Sequence, residues 1–329
     1  MTTLAIIGSG IAGRSLIYTL AKERKEFKEI VVFESESFLK ACSYRSTAVV
    51  AERGLTPGHS PLGDLLLESF KNFQLHFETA PRGVEKVLQV SGATTKLQEF
   101  KTRYPSGCLS TEFTNEEVYL QKESAYLIDP KTYLEFLLSV GEKFYQEKLK
   151  LHEDLVIDVS PEGRIKTQNG KEFSFDKVVF AGGVYNKFWT QAAPDSKLKT
   201  IKSSQGSYLE FSCPNDNTPS LSLTIDGHNY IWNNSTKKLL IGSTTLEVSH
   251  EAHPKKELRK VYEYFERILK RSLPEIESGV VRVGLREKAQ KRSPYYFSKG
   301  NLAYMGGFYK NGYTLGLTIS KSLFHHFLE

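Results

Sequence analysis

Long apolar runs are missing from this 329-residue chain. None approaches the roughly 20 residues that a membrane-crossing helix requires, so no span is expected. Cysteine is scarce: Cys42, Cys108 and Cys213 are odd in number, widely separated, and form neither a CxxC pair nor a disulfide framework. That usage suits a reducing cytoplasm, and with the first strand starting at about residue 3 no signal peptide is expected. Histidine is dispersed. Only His325 and His326 are adjacent, and neighbours on a helix diverge by about 100°, too far to share a tetrahedral metal. No GxSxG nucleophile turn occurs, and no internal repeat or low-complexity tract. The net charge of +6 is moderate; it hints at an anionic partner, with a solvated basic surface the preferred reading.

What is present is concentrated at the N-terminus. The apolar stretch Leu4 to Ile7 runs into Gly8, Gly10 and Gly13. An amphipathic segment from Ile11 to about Lys25 follows, and then EIVVFE, closing on Glu34. Strand, glycine turn, helix, strand and acid in this register predict a dinucleotide-binding βαβ unit. Gly8 permits the tight turn, Gly10 admits a pyrophosphate to the backbone, and Gly13 lets helix and strand pack closely. Unpaired N–H groups at the helix N-terminus, including those of Ile11 and Ala12, attract phosphate. Glu34 is placed to accept a hydrogen bond from a ribose diol.

Further along, LGDLLLESFKNF reads as a helix after a polar loop with Pro57 and Pro61, and Val84 to Val90 as a strand. Residues 94–123 read as polar and irregular. DPKTYLEFLLSVGEKFYQE (129–147) reads as an amphipathic helix, with Asp129 as N-cap and Pro130 in the first turn. Short strands separated by EG and NG turns then lead to a buried strand, Lys177 to Ala181, and the pair Gly182-Gly183. Strands follow at SYLEFS, LSLTI, NYIW and KLLIGST, then a charged helix, HPKKELRKVYEYFERILKRSL. VVRVGLR and LAYMGG are further strands, and a helix runs from about Thr314 to Leu328. Nucleotide-fold signals at both ends bracket a middle rich in antiparallel strands. The expected class is α/β, with two interleaved domains.

In this order the segments resemble the FAD-dependent D-amino acid oxidase/glycine oxidase superfamily. GSGIAG with Glu34 resembles its ADP-binding unit. STAVVAERG (46–54) resembles the loop that passes pyrophosphate and flavin, with Ser46 and Thr47 at its start. DKVVFAGGVYNKFW (176–189) resembles the strand ending in an Ala-Gly pair, here Ala181, Gly182 and Gly183. SSQGSYLEF (203–211) resembles a strand entering the substrate domain, and YIWNNSTKKLLIGSTT (230–245) the hairpin before the long helix. GLR (284–286) with Pro294 resembles the carboxylate-arginine motif. GGFYKNGYTLG (306–316) resembles the turn at the isoalloxazine edge.

The resemblance implies a Rossmann-like FAD-binding domain (1–80, 148–200 and 284–329) interleaved with a mixed-sheet substrate domain (81–147 and 201–283). It implies non-covalent FAD; His59 and Cys42 lie in the general region of the N-terminal loops, but neither is marked for attachment. Val156, Gly307, Lys310, Asn311, Gly312, Tyr313 and Thr314 are implied as further cofactor contacts, with the last helix pointing its N-terminus at the flavin. Arg286 and Tyr230 are implied as the pair that grips a substrate carboxylate, a bidentate match for a guanidinium fork. Tyr208 and Trp232 would line an apolar pocket or fill a sheet core. The implied reaction is oxidation of a C–N bond of a small amine, with hydride transfer to flavin N5. With a single dinucleotide fingerprint, the electrons are expected from that substrate.

The chain departs from the family pattern at Glu287, Gln290 and Lys291 after GLR, and at Asn233 and Asn234 after the hairpin's aromatic strand. Lys310 stands where glycine oxidases often carry arginine. Seven basic residues against one acid, Glu287, between Arg282 and Lys310 would suit an anionic substrate or a solvated face. Two other readings follow from the same residues. One is an oxidase of a modified tRNA wobble uridine, favoured by the basic tail and opposed by the lack of a basic, aromatic-interleaved RNA-binding run. The other is a non-catalytic flavin-binding interaction protein.

Overall fold

The computed structural model of the chain describes residues 1–35, 42–52, 54–190, 196–247 and 254–329; Arg53, in the loop motif 46–54, lies outside them. Two large sheets organise it. The first has six strands in the order Tyr295–Lys299, Leu302–Gly306, Lys177–Phe180, Thr3–Ile7, Glu29–Glu34, Leu149–Glu153. All neighbours run parallel except the Tyr295–Lys299/Leu302–Gly306 pair. The second is a nine-stranded mixed sheet. Its main path runs from Val280–Lys288 through Lys202–Ser212, Lys238–Glu247, His228–Asn233, Leu221–Ile225 and Val84–Ala93 to Val118–Ile128 and Val49–Ala51. A small antiparallel sheet, Val156–Val159, Arg164–Thr167 and Glu172–Ser174, completes the strands. This is the α/β, two-sheet architecture that the order of sequence signals implied.

The inner parallel strands, Thr3–Ile7, Glu29–Glu34 and Lys177–Phe180, are apolar and buried over most of their length, as strands covered on both faces must be, whereas the edge strand Leu149–Glu153 is largely exposed. Leu4, Ala5 and Ile6 are fully buried. The first helix, Ile11–Lys22, is buried from Ile11 to Ala21, because the helices Pro130–Tyr145 and Gly312–Leu323 pack against it. The Pro130–Tyr145 helix starts as expected: the Asp129 carboxylate accepts the Thr132 N–H at 3.0 Å, with Pro130 in the first turn. The segment 94–123 is more regular than its composition suggests. It forms a short helix, Leu97–Arg103, and strands at Cys108–Ser110 and from Val118, because pairing to the sheet edge supplies order that local sequence does not.

Three elements cross the expected domain division. The Pro130–Tyr145 helix, within 81–147, packs on the nucleotide-side helix. Val49–Ala51 and the strand Val280–Lys288 both pair within the nine-stranded sheet.

One buried cluster makes the fold acid-sensitive. His76, at the end of the helix Pro61–Phe77, lies between two tyrosines: Nδ1 is 3.2 Å from the Tyr18 hydroxyl and Nε2 is 3.1 Å from that of Tyr133. Burial, assisted by Lys22, lowers its pKa to about 4. The native state therefore binds fewer protons than the unfolded chain between that value and the ordinary 6.5. The stabilisation is present above pH 6.5 and is lost progressively as the pH falls from 6.5 to about 4. Urea unfolding is expected to show about 2–3 kcal/mol less stability at pH 4.5 than at pH 7 from this residue. His76→Gln should flatten that dependence; an unchanged slope would exclude His76 as its source.

Candidate functional site

The βα turn is built as the glycine spacing requires. Gly8 has φ +107°, and its N–H donates to the Phe33 carbonyl at 2.8 Å. A Cβ on Gly8 would stand 2.6 Å from the Ala181 carbonyl oxygen, and one on Gly13 2.0 Å from that of Gly8. Only bare glycine allows strand, turn and helix to approach this closely. The helix opens on the Ile11 N–H, which donates to Ser43 Oγ at 3.0 Å. Beside it, Glu34 closes its strand and braces the turn, its Oε2 accepting the Ser9 N–H at 2.8 Å.

A cavity of about 1170 Å³ extends from this turn to the nine-stranded sheet. At the βα turn it is walled by Gly8, Gly10, Ile11, Ala12 and Glu34, and Val156 and its neighbours line it as well. Ser46 and Thr47 line its middle, as do Ala181, Gly182 and Gly183. Lys310, Gly312, Tyr313 and Thr314 line it from the start of the last helix. Tyr313 ties that helix to the loop after the second strand, donating its hydroxyl to the Ser43 carbonyl at 2.7 Å.

Of the expected cofactor contacts, three are off the wall. Gly13 serves helix–strand packing. Asn311 begins the last helix, its carbonyl accepting the Leu315 N–H at 2.8 Å. Gly307 lies just behind, with φ +74° and its N–H held by Glu287 at 2.8 Å.

Arg286 lines the cavity from the strand Val280–Lys288 of the nine-stranded sheet. Its guanidinium lies flat over Gly206, where a Cβ would come within 2.0 Å of Cζ. Nη1 is buried and has no hydrogen-bond partner. Burial lowers the pKa of this arginine, partly offset by Cys42 and Tyr309, and the group stays a cation at any working pH. A buried cation with an unfilled donor direction is costly unless an anion completes it.

Tyr230 is not there to help it. In His228–Asn233 the side chains alternate between faces, and the neighbour Asn229 lines the cavity. Tyr230 faces the other way, into the core under the helix Pro254–Ile268, its ring 6.1 Å from Phe265. Tyr230 therefore does not pair with Arg286, because successive side chains of a strand point to opposite faces. Trp232 shares that core, donating Nε1–H to the Thr218 carbonyl at 2.7 Å. Tyr208 is buried and also off the wall. His59 is exposed and distant from the cavity wall, whereas Cys42 lines it.

Several wall residues carried no local sequence signal. Arg45 donates Nη1–H to the Val283 carbonyl at 3.3 Å. Gln205, Thr224 and Asn229 add neutral polar groups to the cavity wall. Glu287 is nine-tenths buried, and Asn186 behind it bonds Gly182 and Met305. Each derives its place from a strand pairing or a distant turn. No group of three His, Cys, Asp or Glu side chains that could hold a metal occurs among the described residues, and none of their helices is long and apolar enough to cross a membrane.

Residues 3–325 match the family model described as FAD dependent oxidoreductase. No curated protein matches the chain. Among solved structures, the glycine oxidase from Geobacillus kaustophilus superposes with a TM-score of 0.78 at 16% identity, over 98% of this chain and 93% of the other. The iminodiacetate oxidase from Chelativorans sp. BNC1 gives 0.76 at 14%, over 97% and 94%. The L-alpha-glycerophosphate oxidase from Mycoplasma pneumoniae, with FAD bound, gives 0.77 at 18%, over 98% and 94%. At these identities the likeness is one of fold.

Proposed function

The chain belongs to this family of FAD-dependent oxidoreductases, and we propose from that premise that it oxidises the C–N bond of an amino acid or another small carboxylated amine. The cavity suits the cofactor: Gly8, Gly10, Ile11 and Ala12 line it, which brings the N-terminal end of the first helix to its wall, and a pyrophosphate there would take the Ile11 N–H that Ser43 Oγ otherwise accepts. In this reading Glu34 takes the ribose, Val156 flanks the adenosine, and Ser46, Thr47, Gly182 and Gly183 follow the chain of the dinucleotide. Gly306, Lys310 and the start of the last helix, Gly312 to Thr314, border the flavin ring. FAD, when bound, supplies the hydride acceptor.

The observation that carries the substrate assignment is the unfilled Arg286 guanidinium on the wall of that cavity. It would hold the substrate carboxylate and so orient the carbon bearing the nitrogen, leaving one C–H direction toward the flavin. The substrate gives up a hydride from that carbon and a proton from nitrogen; the resulting imine takes up water and releases the amine. Gln205, Thr224 and Asn229 suit a compact polar substrate better than a bulky apolar one. Arg45 and Lys310 on the same wall favour an anionic substrate. The names of the glycine and iminodiacetate oxidases, whose fold this chain shares, support a carboxylated amine. The three free cysteines are in keeping with a cytoplasmic setting.

The test is anaerobic mixing of the yellow protein with a panel of D- and L-amino acids and N-substituted glycines. At least one is expected to abolish the visible flavin absorbance, with imine-derived carbonyl product in equal amount. Reduction by hydroxy acids alone would reassign the reaction.

A further inference from the structure

Glu287 follows Arg286 on the strand and also borders the cavity, with its carboxyl buried. Its Oε2 accepts the Gly307 N–H at 2.8 Å, and its Oε1 accepts the Tyr295 hydroxyl proton. Tyr295 Oη in turn accepts Asn186 Nδ2–H at 3.0 Å, and Asn186 Oδ1 accepts the Gly182 N–H at 3.0 Å. A continuous chain of hydrogen bonds thus joins two glycine turns, Gly182-Gly183 on the cavity wall and Gly306-Gly307, of which Gly306 lines it and Gly307 lies just behind. A Cβ on Gly306 would meet Glu287 Oε2 at 2.4 Å, so the carboxyl sits directly beneath that turn.

We propose that Glu287 is a positioning residue whose ionised carboxylate holds both glycine turns in the arrangement that receives FAD, so that protonation of this one group weakens flavin binding. The proposal rests on the flavin reading above. The donor count decides the direction. A carboxylate accepts from Gly307 and Tyr295 together. A proton added at Oε1 would compete with the Tyr295 hydroxyl, which already accepts from Asn186 and would lose the acceptor for its own proton. A proton added at Oε2 would weaken that oxygen as the acceptor of the Gly307 N–H. Either way one link is weakened, and a donor without an acceptor is added, in a buried, low-dielectric place where an unmade bond is costly.

Titration falls in a useful range. Burial pushes Glu287 up to about 7, against the lowering effect of Tyr295 and Gly307. The groups facing it are the Tyr295 hydroxyl from one strand, the Gly307 amide from the turn after the next, and Asn186 through Tyr295. Tyr304 lies beyond Tyr295, and Arg286 lies over Gly206, across the strand. No cationic side chain forms a salt bridge with Glu287 among the described residues.

The experiment measures FAD dissociation from the holoprotein by the fluorescence released on dilution, from pH 5.5 to 8.5. If only the ionised form binds tightly, the wild-type Kd is expected to be about tenfold higher at pH 6 than at pH 8. Glu287→Gln keeps the shape and one acceptor but does not titrate, and should abolish that dependence. Tyr295→Phe removes a bond that favours the carboxylate, so its transition should move to higher pH. A pH-independent wild-type Kd, or the same slope in Glu287→Gln, would overturn the proposal while leaving the flavin assignment intact. Failure of the wild type to bind FAD at any pH would overturn both.

Discussion

Arg286→Ala is expected to leave FAD bound at one per chain and to slow flavin reduction by the carboxylated substrate about thirty- to several-thousand-fold in kcat/KM. The range corresponds to the roughly 2–5 kcal/mol lost when one partner of a buried, hydrogen-bonded charge pair is truncated. Retention of the cofactor is expected because Arg286 stands on the nine-stranded sheet and not on the glycine turn, flat on Gly206 and beside Cys42. Arg286→Lys should recover only part of the rate, since an ammonium keeps the charge but lacks the planar fork. Stopped-flow loss of flavin absorbance with substrate, together with the FAD released on denaturation, separates the two effects. A variant that lost its FAD as well would move Arg286 from substrate anchor to cofactor support.

Gly13→Val is expected to yield protein without flavin. A Cβ at Gly13 already lies 2.0 Å from the Gly8 carbonyl oxygen, so a branched side chain must drive the first helix off the first strand. Relief by small local shifts is closed off, because that helix is buried from Ile11 to Ala21 between the sheet and two other helices. Overpacking of this kind costs about 1–3 kcal/mol or more in stability, and it displaces the N–H groups meant for the phosphates. The FAD content of soluble Gly13→Val should be below about one hundredth of the wild-type content at equal concentration, a loss of order 3 kcal/mol in binding. Full occupancy in a folded variant would show that the turn is not where the dinucleotide binds.

How much of this was legible in the sequence depends on how far each constraint reaches along the chain. The first βαβ unit was readable because its requirements are local: glycines at fixed offsets, a strand on each side, and an acid at the second strand's end. The helix after Asp129 was readable for the same reason, since cap, proline and apolar period lie within a few residues. Tyr230 was misread because its face depends on the parity of the strand that carries it. Register against Ile241 and Leu223 decides that parity, and no local pattern reports it. The regularity of residues 94–123 was hidden similarly, as edge pairing supplied what composition lacked. Glu287 stood out only as a departure from a family pattern. Its burial comes from Tyr295, Gly307 and Asn186, which converge from separate segments and become neighbours only in the folded sheet.

The central claim is that this cavity holds FAD and presents Arg286 to the carboxylate of an amine substrate. The most direct measurement pairs the best amino acid found in the anaerobic screen with its decarboxylated amine and follows the visible flavin absorbance. The account predicts rapid loss with the acid-bearing amine, and with its decarboxylated partner a rate lower by about two orders of magnitude or more, the loss expected when a buried cation is left unpaired. Equal rates with the two, or a flavin that no carboxylated amine reduces, would contradict it.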